Sequence, residues 1–259
     1  MTKTIAIVNQ KGGVGKTTTT INLGYELSLQ GRKTLLVDMD SQASLSKNML
    51  GEDNLYSYNC IDELFVNESK DTNGYIVETR FKDLYILPSH QELSNAATKL
   101  LLDAGGFFVL KDILENVKDF EFILIDCPPS LGILTLNSFI ASSSLIIPIF
   151  PGKFSLMGVN DLMQSIEKSK KNLNPKLEIT GVLLTMMDSR AIVYRQVEEE
   201  VRSVFGNKVF DTVTSRTVKC EESAFEGIGI SGLYADCRLA GEYKRLTEEI
   251  LYRLNMAEV

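Results

Sequence analysis

Residues 9–20 read NQKGGVGKTTTT. Lys11 and Lys16 flank Gly12, Gly13, Val14 and Gly15, and Thr17 and Thr18 follow. Glycines let successive backbone N–H groups turn toward one anion. A helix that starts directly after them adds its positive end. In that chemistry Lys16 reaches the β- and γ-phosphates of a nucleoside triphosphate and the Thr17 hydroxyl ligates Mg2+. The usual phosphate-loop pattern, G-x-x-x-x-G-K-[ST], would place its first glycine at position 10, which is Gln10. The loop is therefore a variant, and its extra feature is Lys11.

Carboxylates stand at matching places downstream. LLVDMD ends in Asp38 and Asp40, and FILIDCPPS carries Asp126. An Asp at the end of a buried strand is a direct or water-mediated Mg2+ holder in phosphate-loop enzymes. Alone, each would serve equally well as a helix cap or turn residue. Beside the loop, Asp126 and Asp40 become metal-site candidates with Thr17.

The elements that must position these groups are readable as alternation. KTIAIVN is a β-rich run feeding the glycine turn, and KTTTTINLGYELSLQG has helical apolar spacing and a stop at Gly31. KTLLVD, LYILPS, FEFILID, SLIIPIF, EITGVLLT and NKVFDTV read as further strands. GVNDLMQSIEKSKKNL, YRQVEEEVRSVFG and GEYKRLTEEILYRL read as helices. The pattern predicts an α/β fold, a mainly parallel twisted sheet with helices on both faces. Ligands of such sheets bind at the carboxyl ends of strands.

The chain has 259 residues, 44% hydrophobic and 24% charged, a composition suited to a globular core. No linker-like run or internal repeat divides it, so residues 1–259 are expected to form a single phosphate-loop ATPase domain. No secretory leader is expected from MTKTIAIVN. Residues 127–152 carry no charge, but Pro128, Pro129, Asn137, Pro148 and the serine cluster at 142–144 interrupt them. They read as a loop, a buried helix and a buried strand rather than a membrane span. Four scattered cysteines and one histidine, His90, argue against a zinc site and for reduced thiols. His90 is expected to serve a loop or the surface. The net charge of −7 excludes a generally basic nucleic-acid binder but not a local basic patch.

KGGVGKTTT, LLVDMDSQASLS and ILIDCPPSLG resemble the deviant Walker A, Walker A′ and Walker B motifs of the ParA/MinD ATPase superfamily. GVLLTMMDSR, VEEEVRSVFGNKVFDTV and AGEYKRLTEEIL are similar to its Soj-like ParA branch, the DNA-partition ATPases. The resemblance spans residues 3–254. It implies an ATP- and Mg2+-dependent homodimer in which Lys11 reaches across to the partner's phosphates, much as an arginine finger does. It also implies that Asp40 positions the attacking water, Thr18 holds the α-phosphate and Asp126 holds Mg2+ through water. Nucleotide contacts are expected from residues 11–18 and Arg216.

The sequence departs from the family in places. Ser41 stands where the family has Pro, which bears on the switch loop and the hydrolysis rate rather than on ATP binding. The family's IPRNVRLSEAP appears as TSRTVKCEESA, residues 214–224, with Arg216 and Lys219 keeping its basic character. Arg238 is retained in YADCRLAGEY.

The resemblance implies nonspecific, salt-sensitive DNA binding through Arg190 and Lys219, with Arg195, Arg216 and Arg238 extending the patch. It also implies a ParB-like centromere-binding partner and a cytoplasmic, nucleoid-associated location. With no helix-turn-helix ahead of Lys3, operator binding is not expected. A MinD-like membrane ATPase would need a basic amphipathic tail, and YRLNMAEV is not one. An iron–sulfur ATPase would need a cysteine pattern that Cys127 and Cys220 do not match. A ParA-like ATPase positioning a cargo other than DNA remains the alternative.

Overall fold

The computed structural model describes residues 2–66, 72–152, 159–188 and 192–256. In chain order the elements are β1 (Lys3–Ile7), α1 (Lys16–Leu29), β2 (Thr34–Asp38), α2 (Ser44–Leu50), α3 (Ile61–Val66), β3 (Val77–Glu78), β4 (Leu84–Leu87), α4 (Leu93–Leu100) and α5 (Val109–Glu115). They continue with β5 (Phe122–Asp126), α6 (Ile133–Ala141), β6 (Ser144–Ile149), α7 (Val159–Asn172), β7 (Glu178–Leu184), α8 (Ile192–Phe205), α9 (Val218–Phe225), α10 (Ile230–Leu233) and α11 (Arg238–Met256).

The sheet order is β3-β4-β2-β5-β1-β6-β7. Every pairing is parallel except the β3–β4 edge. Strands β2, β5 and β6 are buried along their whole length, which is why they read as unbroken apolar runs. Alternate residues feed two cores. Ala6, Leu35, Val37, Ile123 and Ile125 enter one, and Ile5, Ile7, Leu36, Phe122 and Leu124 the other. Pro148 is tolerated inside β6 because the ladder with β1 has stopped at Ile146. Beyond it, Asn9 Nδ2 donates to the Pro148 carbonyl at 2.7 Å and ties the phosphate loop's first residues to the sheet.

Helix α1 is buried almost all round, between the strands and α10 and α11. A Cβ on Gly24 would lie 2.6 Å from Leu36 Cδ2, so the helix sits directly on the sheet. Its buried Asn22 donates to the Thr18 carbonyl and accepts from the Ile230 N–H at 2.7 Å.

Residues 127–152 form the expected loop, buried helix α6 and buried strand β6. Among the described residues no helix is long and apolar enough to cross a membrane. One strand expectation is corrected. NKVFDTV, residues 207–213, starts inside a short 3-10 turn, Gly206–Lys208, and makes a single bridge from Val209 to Val182. The Asp211 and Thr212 N–H groups donate to the Glu249 carboxylate on α11 at 2.9 and 3.0 Å, so no ladder with β7 continues through them. The antiparallel edge β3, only Val77–Glu78, has no counterpart in the sequence reading.

Candidate active site

The loop after β1 enters α1 through Gly13 and Gly15, at φ 70° and 86°. Only glycine adopts that left-handed geometry without strain, and two such turns aim backbone N–H groups into the loop's concave side. No side chain caps the start of α1, and no acidic residue lies in its first turn. The positive end of the helix therefore faces the cleft unneutralised.

Lys16 is buried in this turn, and its Nζ donates to the Lys11 carbonyl at 3.1 Å. Burial lowers its pKa, against the opposing pull of Asp126, Cys127 and Asp40. Thr17 Oγ1 donates to Asp126 Oδ2 at 2.6 Å. The other carboxylate oxygen of Asp126, Oδ1, is buried without a hydrogen-bond partner. Burial, then the charge of neighbouring Asp38, pushes Asp126 up to about 8, although the Thr17 hydrogen bond and Lys16 oppose the shift.

Asp38 and Asp126 face each other in register on β2 and β5. Their surroundings differ. Asp38 accepts from the N–H of Asp40 at 3.0 Å and from the N–H and hydroxyl of Ser46 at 2.9 and 2.7 Å. Its hydrogen bonds hold the turn that follows β2, while burial raises it to about 6. The cap-or-turn reading is thus true of Asp38. Asp40 is half-exposed, and its Oδ1 accepts from the Gln42 N–H at 3.0 Å.

Gly12, Gly13, Lys16, Thr17, Thr18 and Asp40 line a cavity of about 350 Å3. Gly13, Gly15, Thr18 and Met186 also line a second cavity of about 300 Å3, so the two adjoin. The second is completed by Arg216, Thr185 and Tyr243, among others. Lys11 is half-buried and is not among the lining residues of either.

Comparisons with known proteins agree with this geometry. The AAA domain family model AAA_31 matches residues 2–179. The chromosome-partitioning ATPase Soj of Treponema pallidum is 41% identical over 98% of this chain and 98% of its own. The sporulation initiation inhibitor protein Soj of Bacillus subtilis is 39% identical over 96% of this chain and 98% of its own. The chain belongs to the Soj/ParA family of ATPases. A solved structure of cobyrinic acid a,c-diamide synthase from Mycobacterium smegmatis, with bound ATP analogue and magnesium, superposes with a TM-score of 0.84. It is 31% identical and covers 98% of this chain and 96% of that one.

As a Soj/ParA-family ATPase, the protein works with ATP and Mg2+. The residues fit the metal. Thr17 and Asp126 present hard oxygen donors, one of them an orphaned buried carboxylate oxygen that a cation would satisfy. Among the described residues no cluster of three or more His, Cys, Asp or Glu forms a cage. That suits Mg2+, which takes one or two protein oxygens and completes its shell with water and phosphate.

The expected DNA-contact positions are placed only in part. Arg190 lies outside the described residues. Lys219 is on α9 with its Nζ 4.9 Å from the Tyr234 ring centroid, and Arg195 is on α8. Arg238, at the head of α11, is paired with the buried Glu242 at 2.7 Å. Sequence reasoning missed Thr185, whose hydroxyl donates to the Val14 carbonyl at 2.9 Å, and Met186, held at φ 53° beside Gly15. Their signal was positional: they directly follow the carboxyl end of β7.

Proposed function

We propose that residues 1–259 act as one phosphate-loop ATPase domain for plasmid or chromosome partition. ATP joins two copies into a sandwich dimer, the dimer binds DNA without sequence preference, and a ParB-like partner speeds an otherwise slow hydrolysis. Within one copy, the amides of residues 12–17 and the Lys16 ammonium hold the β- and γ-phosphates. Thr18 holds the α-phosphate, and Arg216 lies where the cleft continues toward the rest of the nucleotide. Thr17 and Asp126 hold Mg2+, which neutralises phosphate charge when bound. Asp40 orients the attacking water, and Lys11 of the second copy stabilises the triphosphate's charge.

The observation that supports this reading best is the division of labour between the lysines. Lys16 is buried in its own cleft, while Lys11 stays out of both cavities. Lys219 and Arg190 are the proposed DNA contacts, with Arg195, Arg216 and Arg238 around them. The proposed setting is cytoplasmic, on the nucleoid.

The test is binding to random-sequence duplex DNA without nucleotide and with ADP, ATP or a nonhydrolysable analogue, at low and moderate salt. Binding should require ATP, weaken with salt, vanish in Lys16→Ala and Arg190→Ala, and persist in Asp40→Ala. An ATP dimer, verified by light scattering, that binds DNA in no condition would refute the DNA role. The switch would then position some other cargo.

A further inference from the structure

Asp40 is held from a strand that carries no part of the phosphate site. Ser89 follows β4, which pairs with β2 as far as Val37↔Leu87. It is fully buried, and its hydroxyl donates to the backbone carbonyl of Asp40 at 2.7 Å. Its N–H donates to Ser46 Oγ at 2.9 Å, and that hydroxyl in turn donates to Asp38. Asp38 also takes the Asp40 N–H, so the peptide groups on both sides of Asp40 are fixed. Residue 41 is serine, whose φ no ring restrains, so the turn depends on these hydrogen bonds for its stiffness. Ala43, which closes the turn, sits in the left-handed region at φ 54°, a further cost the surrounding contacts must offset.

We infer that Ser89 is a positioning residue for hydrolysis, clamping the Asp40 backbone so that the carboxylate faces the γ-phosphate end of the cleft. The inference rests on the proposed role of Asp40. Ser89 is the informative member of the network because its loss strands no buried carbonyl. The Asp40 oxygen would still accept from the Ala43 N–H at 2.9 Å. Removing Asp38 or Ser46 would instead dismantle the turn itself.

Ser89→Ala, Ser89→Thr and Asp40→Ala are to be compared with wild type in the full chain. The readouts are steady-state ATP hydrolysis with Mg2+, affinity for a nonhydrolysable ATP analogue, and amide hydrogen exchange. A misaligned catalytic group costs turnover rather than binding, so Ser89→Ala should lower kcat about tenfold with analogue affinity within about twofold of wild type. Exchange should quicken at the amides of Asp40, Gln42 and Ala43 and stay unchanged in α1. Ser89→Thr keeps the hydroxyl and should recover most of the turnover. Wild-type kcat and exchange in Ser89→Ala, with Asp40→Ala inactive, would overturn the inference and spare the Asp40 reading. Loss of analogue affinity by the same factor as kcat, with faster exchange throughout the sheet, would overturn it in favour of a purely structural role. Full hydrolysis in Asp40→Ala would sink both.

Discussion

A carboxylate oxygen buried with no partner is costly, and Asp126 Oδ1 is one. Without metal the folded protein relieves that cost by keeping a proton. The carboxyl sits near 8, against about 4 in an unfolded chain. Between those values the folded state binds more protons than the unfolded one. The resulting stabilisation is fully present below about pH 4 and is lost as pH rises through about 8. Asp38, raised to about 6, adds a smaller loss in the lower part of the same window. Thermal melts in EDTA should therefore show this contribution falling from pH 5 to pH 8. Asp126→Asn should flatten the fall, and Mg2+ with nucleotide should restore wild-type stability most strongly at the alkaline end, where no proton must leave. An EDTA profile with the same slope in wild type and Asp126→Asn would contradict the assignment.

At the scale of elements, α11 takes the hydrogen bonds that a strand would have used. Arg253 donates to the carbonyls of Thr180, Lys208 and Val209 at 3.1, 3.0 and 2.9 Å, and its guanidinium lies 4.3 Å from the Phe210 ring centroid. Glu249 takes the amides of Asp211 and Thr212 and pairs with Arg253 at 2.7 Å. Arg253→Ala leaves three carbonyls short at a partly buried site and removes a charge-assisted set of hydrogen bonds, a loss of about 2–3 kcal/mol. Thermal melting should show it as a Tm lowered by about 4–10 °C. Arg253→Lys should recover little, since an ammonium lacks the planar fork that spans several carbonyls. The same contacts explain why NKVFDTV misled. Its composition is that of a strand, but beyond the bridge to Val182 the Asp211 and Thr212 amides go to a side chain on a helix far along the chain, and no local pattern encodes that. Buried parallel strands and the glycine loop were readable because their signals are local: apolar runs in one case, consecutive residues making one phosphate cradle in the other. Thr185, Met186 and the Ser89 clamp were not, because each meets the site only after the sheet has assembled. The two-residue strand β3 is too short to carry any periodicity.

On the scale of the whole molecule, the question is whether one chain holds a complete site. Lys16, Thr17, Asp40 and Asp126 converge on one cleft within a single copy, and Lys11 does not line it. If Lys11 works on the second copy's nucleotide, Lys11→Ala and Asp40→Ala, carried on different copies of a mixed dimer, damage the same cleft and leave the other whole. In such a dimer one cleft has lost both its own Asp40 and the incoming Lys11. The other keeps its own Asp40 and receives an intact Lys11. Mixing two separately inactive variants in equal amounts, with free exchange of copies, makes half the dimers mixed, each with one working cleft. ATP hydrolysis should then recover to about a quarter of the wild-type rate at equal total protein. Lys16→Ala mixed with Asp40→Ala should recover nothing, because each change disables the cleft of the copy that carries it and neither cleft of the mixed dimer is whole. Failure of the first mixture to recover, with mixed dimers verified by differently tagged copies, would place Lys11 in its own site. The second lysine would then serve the same phosphates as Lys16, and ATP would have to couple the two copies by some other contact.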